Sequence, residues 1–209
     1  MDYANNVAEQ LLQIKAIKLN TRTPYTWASG IKSPIYCDNR IALSFPHVRN
    51  LVKKALISKS DEFPAFDVVA GVATAGIPHG ALLADALGLP FVYVRSKAKE
   101  HGRQNQIEGS LEQNARVLVI EDLISTGGSS MDAIQALLTA GAQISGLLAI
   151  FTYEFEKAKE LFSEAQIPVK TLTGYGTLIA IAEKLQYIEN KDLELLRSWR
   201  KDPHSWLSK

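Results

Sequence analysis

The chain has 209 residues, 46% hydrophobic and 22% charged, with a formal net charge of +1 at pH 7. That length carries one sizeable core rather than two domains, and the near-neutral balance argues against bulk nucleic acid as a partner. The single cysteine excludes an internal disulfide, no run approaches the roughly eighteen apolar residues of a membrane span, and the opening MDYANNVAEQLLQ lacks a basic-then-apolar signal, so a cytoplasmic setting with no membrane contact is expected.

In chain order, residues 4–18 read as a helix, with Val7, Leu11, Ile14 and Lys18 along one side. From 20 to 40 the character changes to NTRTPYTWASGIKSPIYCDNR, with two prolines, a glycine and short aromatic or β-branched pieces. This predicts a small hood, a hairpin with Gly30 in the turn between 25–28 and 35–38. Its aromatics Tyr25, Trp27 and Tyr36 read first as packing residues, although a cap over a crevice would also flank a planar ligand. Cys37 reads as a filler of the hood, with no His or second Cys placed to activate it. Residues 46–58 predict a helix opened by Ser44-Phe45-Pro46. A strand over 67–70 leads into the small-residue loop Gly71-Val72-Ala73-Thr74-Ala75-Gly76 and a helix over 79–87. That loop suits either backbone amides facing an anion or close helix–strand packing.

A strand over 90–94 precedes Arg95-Ser96-Lys97-Ala98-Lys99-Glu100-His101-Gly102-Arg103, part of a basic stretch reaching 109 that holds one apolar side chain larger than alanine. A mobile loop is expected there. Charge runs are usually solvated surface, but this one sits between two strands at the end where a crevice forms. Lysines and arginines on such an arm would neutralise an anionic leaving group. Next comes ARVLVIEDLISTGGSSMDAIQAL, from Ala115 to Leu137. Its β-branched run 117–120 predicts a strand buried on both faces, and Met131, Ile134, Leu137 and Leu138 predict the inward stripe of the helix that follows. Between them stand the carboxylates Glu121 and Asp122 and the turn Ser125-Thr126-Gly127-Gly128-Ser129. Free amides and hydroxyls in that turn suit a phosphate monoester at a helix amino terminus. The carboxylates suit vicinal hydroxyls, so a phosphorylated sugar held at both ends is the simplest single ligand. An ordinary capped loop is the bland alternative. Neither GxxxxGK[ST] nor GxGxxG is present. Strands near 144 and 169, helices over 155–164 and 175–185, and a tail with Leu193, Leu196, Trp199 and Trp206 complete the chain. The fold class expected is α/β, a five-stranded, mostly parallel sheet flanked by helices with a small N-terminal hood, in a single domain over 1–209.

The segment 117–129 resembles the phosphoribosyl-pyrophosphate motif of the type I phosphoribosyltransferases. Two further segments, Ser29-Gly30-Ile31-Lys32-Ser33-Pro34-Ile35-Tyr36-Cys37-Asp38 in the hood and Arg95 to Gly102, make the whole chain similar to the orotate-using branch of that family. The resemblance implies transfer of a 5-phosphoribosyl group from phosphoribosyl pyrophosphate to N1 of orotate, in pyrimidine (UMP) biosynthesis. The alternatives are a purine or uracil transferase, or a regulator that senses phosphoribosyl pyrophosphate without turnover. By the same resemblance Glu121 and Asp122 hold the ribose hydroxyls, Ser125, Thr126, Gly127, Gly128 and Ser129 the 5-phosphate, and Ala73 and Thr74 the pyrophosphate. Arg95, Lys97, Lys99 and His101 belong to the catalytic loop over 95–109, which in the family commonly enters a neighbouring subunit's site. A homodimer with shared sites follows, together with Mg2+ held mainly by substrate oxygens rather than by protein ligands. The chain departs from the family at Ser96, Ala75, Ala28 and Thr152-Tyr153-Glu154, where relatives often carry lysine or arginine. These losses leave the contacts of the orotate carboxylate open, with Lys32 and Tyr36 in the hood as candidates.

Overall fold

The computed structural model describes residues 2–27, 30–96, 106–203 and 206. Helix α1 (Tyr3–Gln13) buries Val7, Ala8, Leu11 and Leu12 and is capped by the Asp2 side chain. It stops before the expected residue 18 because the backbone turns at Lys15, at φ 59°, into strand β1 (Ile17–Leu19), where Lys18 faces solvent. The hood is therefore two ribbons rather than one hairpin. Strand β2 (Tyr25–Thr26) pairs with β3 (Lys32–Ser33), whereas β4 (Ile35–Cys37), expected to be the hairpin's second arm, pairs antiparallel with β1. A 3-10 turn over Asn39–Ser44 leads into α2 (Pro46–Ser60), which starts with proline but without the Ser44 side-chain cap expected of it.

The main sheet follows: β5 (Val68–Val72), α3 (Gly76–Leu87), β6 (Phe91–Val94), β7 (Ile107–Glu108), β8 (Arg116–Ile124), α4 (Gly128–Thr139), β9 (Gln143–Thr152), α5 (Glu156–Glu164), β10 (Val169–Gly174), α6 (Tyr175–Lys184) and α7 (Asp192–Lys201). The strand order is β10-β9-β8-β5-β6-β7. The expected parallel strands are all there, and the short β7 adds an antiparallel edge against Tyr93–Val94. Val117, Leu118, Val119 and Ile120 are fully buried because both faces of β8 are covered. Leu118 and Ile120 pack with α1, α2, α3, α6 and α7, and Val117 and Val119 with α4 and α5. Each such side chain contributes about 1.5–3 kcal/mol by leaving water. On α4, Ala133, Ile134 and Leu137 are buried, but Leu138 is exposed, one residue past the edge of a stripe that the sheet contacts on one side only.

The chain leaves β5 toward β6 on one side and returns to β8 on the other. Adjacent β5 and β8 therefore form the topological switch point, and their carboxyl ends open a crevice. Helix α3 starts at Gly76, earlier than expected, and lies flush on the sheet: a Cβ on Gly76 would come within 2.5 Å of the Ile120 carbonyl oxygen. Close packing thus accounts for this glycine.

His79 on α3 is almost wholly buried, its Nε2 has no hydrogen-bond partner among the described residues, and burial lowers its pKa from 6.5 to about 4. Between these values the unfolded chain binds the proton and the folded chain does not, so the contribution of His79 to stability falls as pH drops from 6.5 toward 4. Measured by urea unfolding, the change in stability from pH 7 to pH 5 is expected to be less favourable by about 2 kcal/mol in the unaltered protein than in a His79→Leu variant. An equal pH dependence in both proteins would contradict this.

Candidate active site

Strand β8 extends beyond its apolar run to include both carboxylates, so Glu121 and Asp122 are fixed by sheet pairing rather than left in a loop. Glu121 pairs in register with Ala149 of β9. One of its oxygens accepts from the Asp122 amide at 3.0 Å, the other from the Ser130 hydroxyl on α4, also at 3.0 Å. On the hood side, the fully buried Asn39 donates from Nδ2 to the Asp122 carbonyl at 2.7 Å, and its Oδ1 accepts from the Cys37 thiol at 3.4 Å. Burial raises the pKa of Glu121, and the neighbouring Asp122 charge raises it further. Asp122 is also raised by burial, with Arg40 opposing and Asp38 adding to the shift. The pair resists full ionisation, because two like charges would sit side by side away from water.

Directly after β8, Ser125, Thr126 and Gly127 turn the chain, and α4 begins at Gly128. Gly127 has φ 84°, and a Cβ there would lie 2.9 Å from the Phe162 ring, so the turn requires glycine on both counts. The helix's first bond joins the Met131 amide to the Gly127 carbonyl at 3.0 Å. Helical geometry leaves the amides before Met131 without intrahelical acceptors, pointing outward at a positive dipole end. Across the switch point, Ala73 and Thr74 occupy the loop after β5, with Thr74 exposed and a cis peptide between them. The structure thus brings Glu121, Asp122, Ser125 to Ser129, Ala73 and Thr74 to neighbouring strand ends.

The basic arm is only partly described. Lys97, Lys99 and His101 lie outside the described residues. Its base is anchored: Arg95 follows β6, its amide bonds the Gln106 carbonyl at 2.9 Å, and its guanidinium is 3.5 Å from Glu108.

Under the hood a cavity of 280 Å³ is lined by Thr26, Trp27, Tyr36, Cys37, Leu123, Ser125 and Tyr153. It is close to the lower limit, about 300 Å³, of ordinary small-ligand pockets. Ser125 belongs to both this cavity and the phosphate turn, which makes the two continuous. Lys32 is exposed, but its Nζ donates to the lining Thr26 hydroxyl at 2.7 Å, which puts a cation at the rim. Glu154 is not among the lining residues; it accepts instead from the Gly176 amide at 3.1 Å and from Arg200 at 2.7 Å. A larger hollow, 540 Å³, lies against α4 and the arm's base but includes neither carboxylate. Sequence reading missed Asn39 and Tyr153, whose partners lie far along the chain, and Ser130, which reaches Glu121 from the next helix. Only the hydroxyl just past the glycine turn offered a hint of Ser130.

Strand-end carboxylates, a helix amino terminus and an aromatic-lined cavity lie together in an arrangement suited to a phosphorylated sugar, and known proteins point the same way. The phosphoribosyl transferase domain family matches residues 44–167, more than half of the chain. Orotate phosphoribosyltransferase of Listeria monocytogenes serotype 4b is 55% identical over 207 residues, covering 99% of both chains, and that of Enterococcus faecalis is 54% identical over 204 residues, covering 97% of both. The crystal structure of orotate phosphoribosyltransferase from Aeropyrum pernix superposes with a TM-score of 0.75 at 28% identity, covering 88% of this chain and 99% of that one. The chain belongs to the orotate phosphoribosyltransferases within the phosphoribosyl transferase domain family. The purine, uracil and non-catalytic alternatives are not favoured by these full-length relatives.

Removing the Ser130 hydroxyl takes a donor from ionised Glu121, so Ser130→Ala should raise the Glu121 pKa further. Titration of carbon-13-labelled glutamate carboxyls by NMR would show this as a midpoint moved to higher pH. A midpoint unchanged or moved down would contradict the assignment.

Proposed function

We propose that the crevice transfers the 5-phosphoribosyl group of phosphoribosyl pyrophosphate to N1 of orotate, releasing orotidine 5-monophosphate and pyrophosphate in pyrimidine biosynthesis. The observation that carries the reading is the pair Glu121 and Asp122, buried at the end of the central strand between a helix amino terminus and a capped cavity.

The sugar's 5-phosphate sits on the amides of Gly127, Gly128 and Ser129 and on the hydroxyls of Ser125, Thr126 and Ser129. Glu121 and Asp122 accept from the ribose 2- and 3-hydroxyls. As the bond from the anomeric carbon to pyrophosphate breaks, positive charge grows on the sugar, and the carboxylates stabilise it through those hydroxyls. Their burial strengthens this interaction by keeping water out of the field between them and the ring. Pyrophosphate leaves past Ala73 and Thr74, met by Arg95, Lys97, Lys99 and His101 of the arm, which reaches across a homodimer into the neighbouring site. The orotate ring lies in the cavity against Trp27 and Tyr153, with Tyr36 at the side. Because orotate is acidic at N1, the chain need not supply a strong base.

Among the described residues no cluster of three or more His, Cys, Asp or Glu side chains could hold a metal ion. The acidic pair, raised in pKa by burial and, at Glu121, also by the Asp122 charge, suits a nearby divalent cation that is held mainly by substrate oxygens. When bound, Mg2+ offsets the charge of the pyrophosphate group. The whole chain acts as one domain in the cytoplasm.

Lys32, a cation at the cavity rim, pairs with the orotate carboxylate. With Mg2+ and phosphoribosyl pyrophosphate, the protein should consume orotate, followed by its ultraviolet absorbance, and leave uracil, adenine and hypoxanthine unchanged. Lys32→Ala should raise the KM for orotate about tenfold, the value of one charge-assisted contact, without altering that for phosphoribosyl pyrophosphate. No orotate consumption by the unaltered protein would sink the function, and an unchanged orotate KM would sink only the role of Lys32.

A further inference from the structure

The residues that wall the cavity come from distant parts of the chain, and one side chain outside the cavity touches both walls. Trp199 on α7 is fully buried and does not line the cavity. Its ring centroid lies 5.7 Å from that of Trp27, in the hood, and 5.8 Å from that of Tyr153, just past β9, both edge-on. Trp27 and Tyr153 are themselves 5.0 Å apart and face the cavity. On its other sides Trp199 meets Phe155 and Tyr175, each at 5.4 Å, so the ring has little freedom to tilt. Its indole N–H donates to the Lys32 carbonyl at 3.0 Å, in the strand whose side chain reaches the cavity rim through Thr26.

The ribbon that Trp199 holds cannot hold itself. Strands β2 and β3 contribute two residues each, and an isolated two-stranded ribbon of that size is not stable in water. Further bonds tie the same helix to the hood and to the cavity floor. Thr21 donates to Asp192, at the start of α7, at 3.0 Å. Arg200, beside Trp199, bonds Glu154, beside Tyr153, at 2.7 Å. The phenol of Tyr175 donates to the Leu196 carbonyl at 3.0 Å and so fastens α7 to α6. Both α7 and the hood lie outside residues 44–167, the span that matches the phosphoribosyl transferase domain.

We propose that Trp199 is a positioning residue for the nucleobase: it sets the distance between Trp27 and Tyr153 and the height of the Lys32 strand, without touching the base. The proposal rests on the reading that the base occupies this cavity. Base recognition in this chain is then built by joining its two ends, the hood and α7, whereas the sugar and phosphates are held by the middle of the chain. The two substrates should respond separately to damage at α7. A tryptophan that merely stabilised the fold would affect both together.

The test is steady-state kinetics of full-length Trp199→Phe, which keeps a ring but loses the N–H and part of the contact area, with each substrate varied in turn. The KM for orotate should rise about tenfold while that for phosphoribosyl pyrophosphate stays within about twofold. Arg200→Gln, at a half-exposed position, should give the same split with smaller size and decides the matter if the tryptophan variant does not fold. Both constants unchanged, or both raised in parallel, in the variant that folds would overturn the proposal. Orotate turnover by the unaltered protein in the same assay tests the underlying function independently.

Discussion

Two adjacent carboxylates buried at the end of the central strand are the constraint to which the surrounding structure answers. Taking Glu121 and Asp122 out of water is unfavourable, and the Asp122 charge makes ionisation of Glu121 harder still. The pair persists because the apolar run before it is locked between β5 and β9, because the Ser130 hydroxyl of α4 and the Asp122 amide donate to the Glu121 carboxylate, and because Asn39 of the hood fixes the strand end through the Asp122 carbonyl. A ligand bearing hydroxyls, together with positive charge, can offset this cost. In the proposed function the same electrostatic cost is the means of acting on a sugar that becomes cationic.

The topology separates two kinds of recognition. The crevice at the switch point, with one loop after β5 and another after β8, is made by consecutive β-α units in the middle of the chain, and it is this stretch that the family match spans. Backbone amides and small residues line that crevice, as would suit the phosphates of the proposed substrate. The cavity beside it is made of aromatic side chains from β2, β4 and the end of β9, fastened by α7. In the proposed function, shape and the rim cation Lys32 distinguish one planar base from another there. Ser125 lies in both places, so the two are adjacent.

How much of this could be read from the sequence followed from how local the determining contacts are. The β8 motif was legible because an apolar run, two acids and a small-residue turn are contiguous, and each signals its own structure. The order of strands and helices was legible for the same reason. The hood was misread because the nearest candidate for a hairpin arm, Ile35–Cys37, is captured by β1, which the helical pattern of 4–18 had hidden. Leu138 fitted the period of α4, yet period alone does not say how wide the covered face is. Asn39, Ser130 and Trp199 could not be assigned from sequence because their partners, Asp122, Glu121 and the Trp27–Tyr153 pair, are brought to them only by the fold.

The central claim is that the acidic pair grips the sugar's diol. Calorimetric binding of phosphoribosyl pyrophosphate and of its 2,3-dideoxy analogue, each to the unaltered protein and to Asp122→Asn, tests it most directly. The account predicts that Asp122→Asn weakens the parent ligand about tenfold or more and leaves the dideoxy analogue nearly unaffected, because the lost contact is to the missing hydroxyls. Equal weakening of both ligands would contradict it.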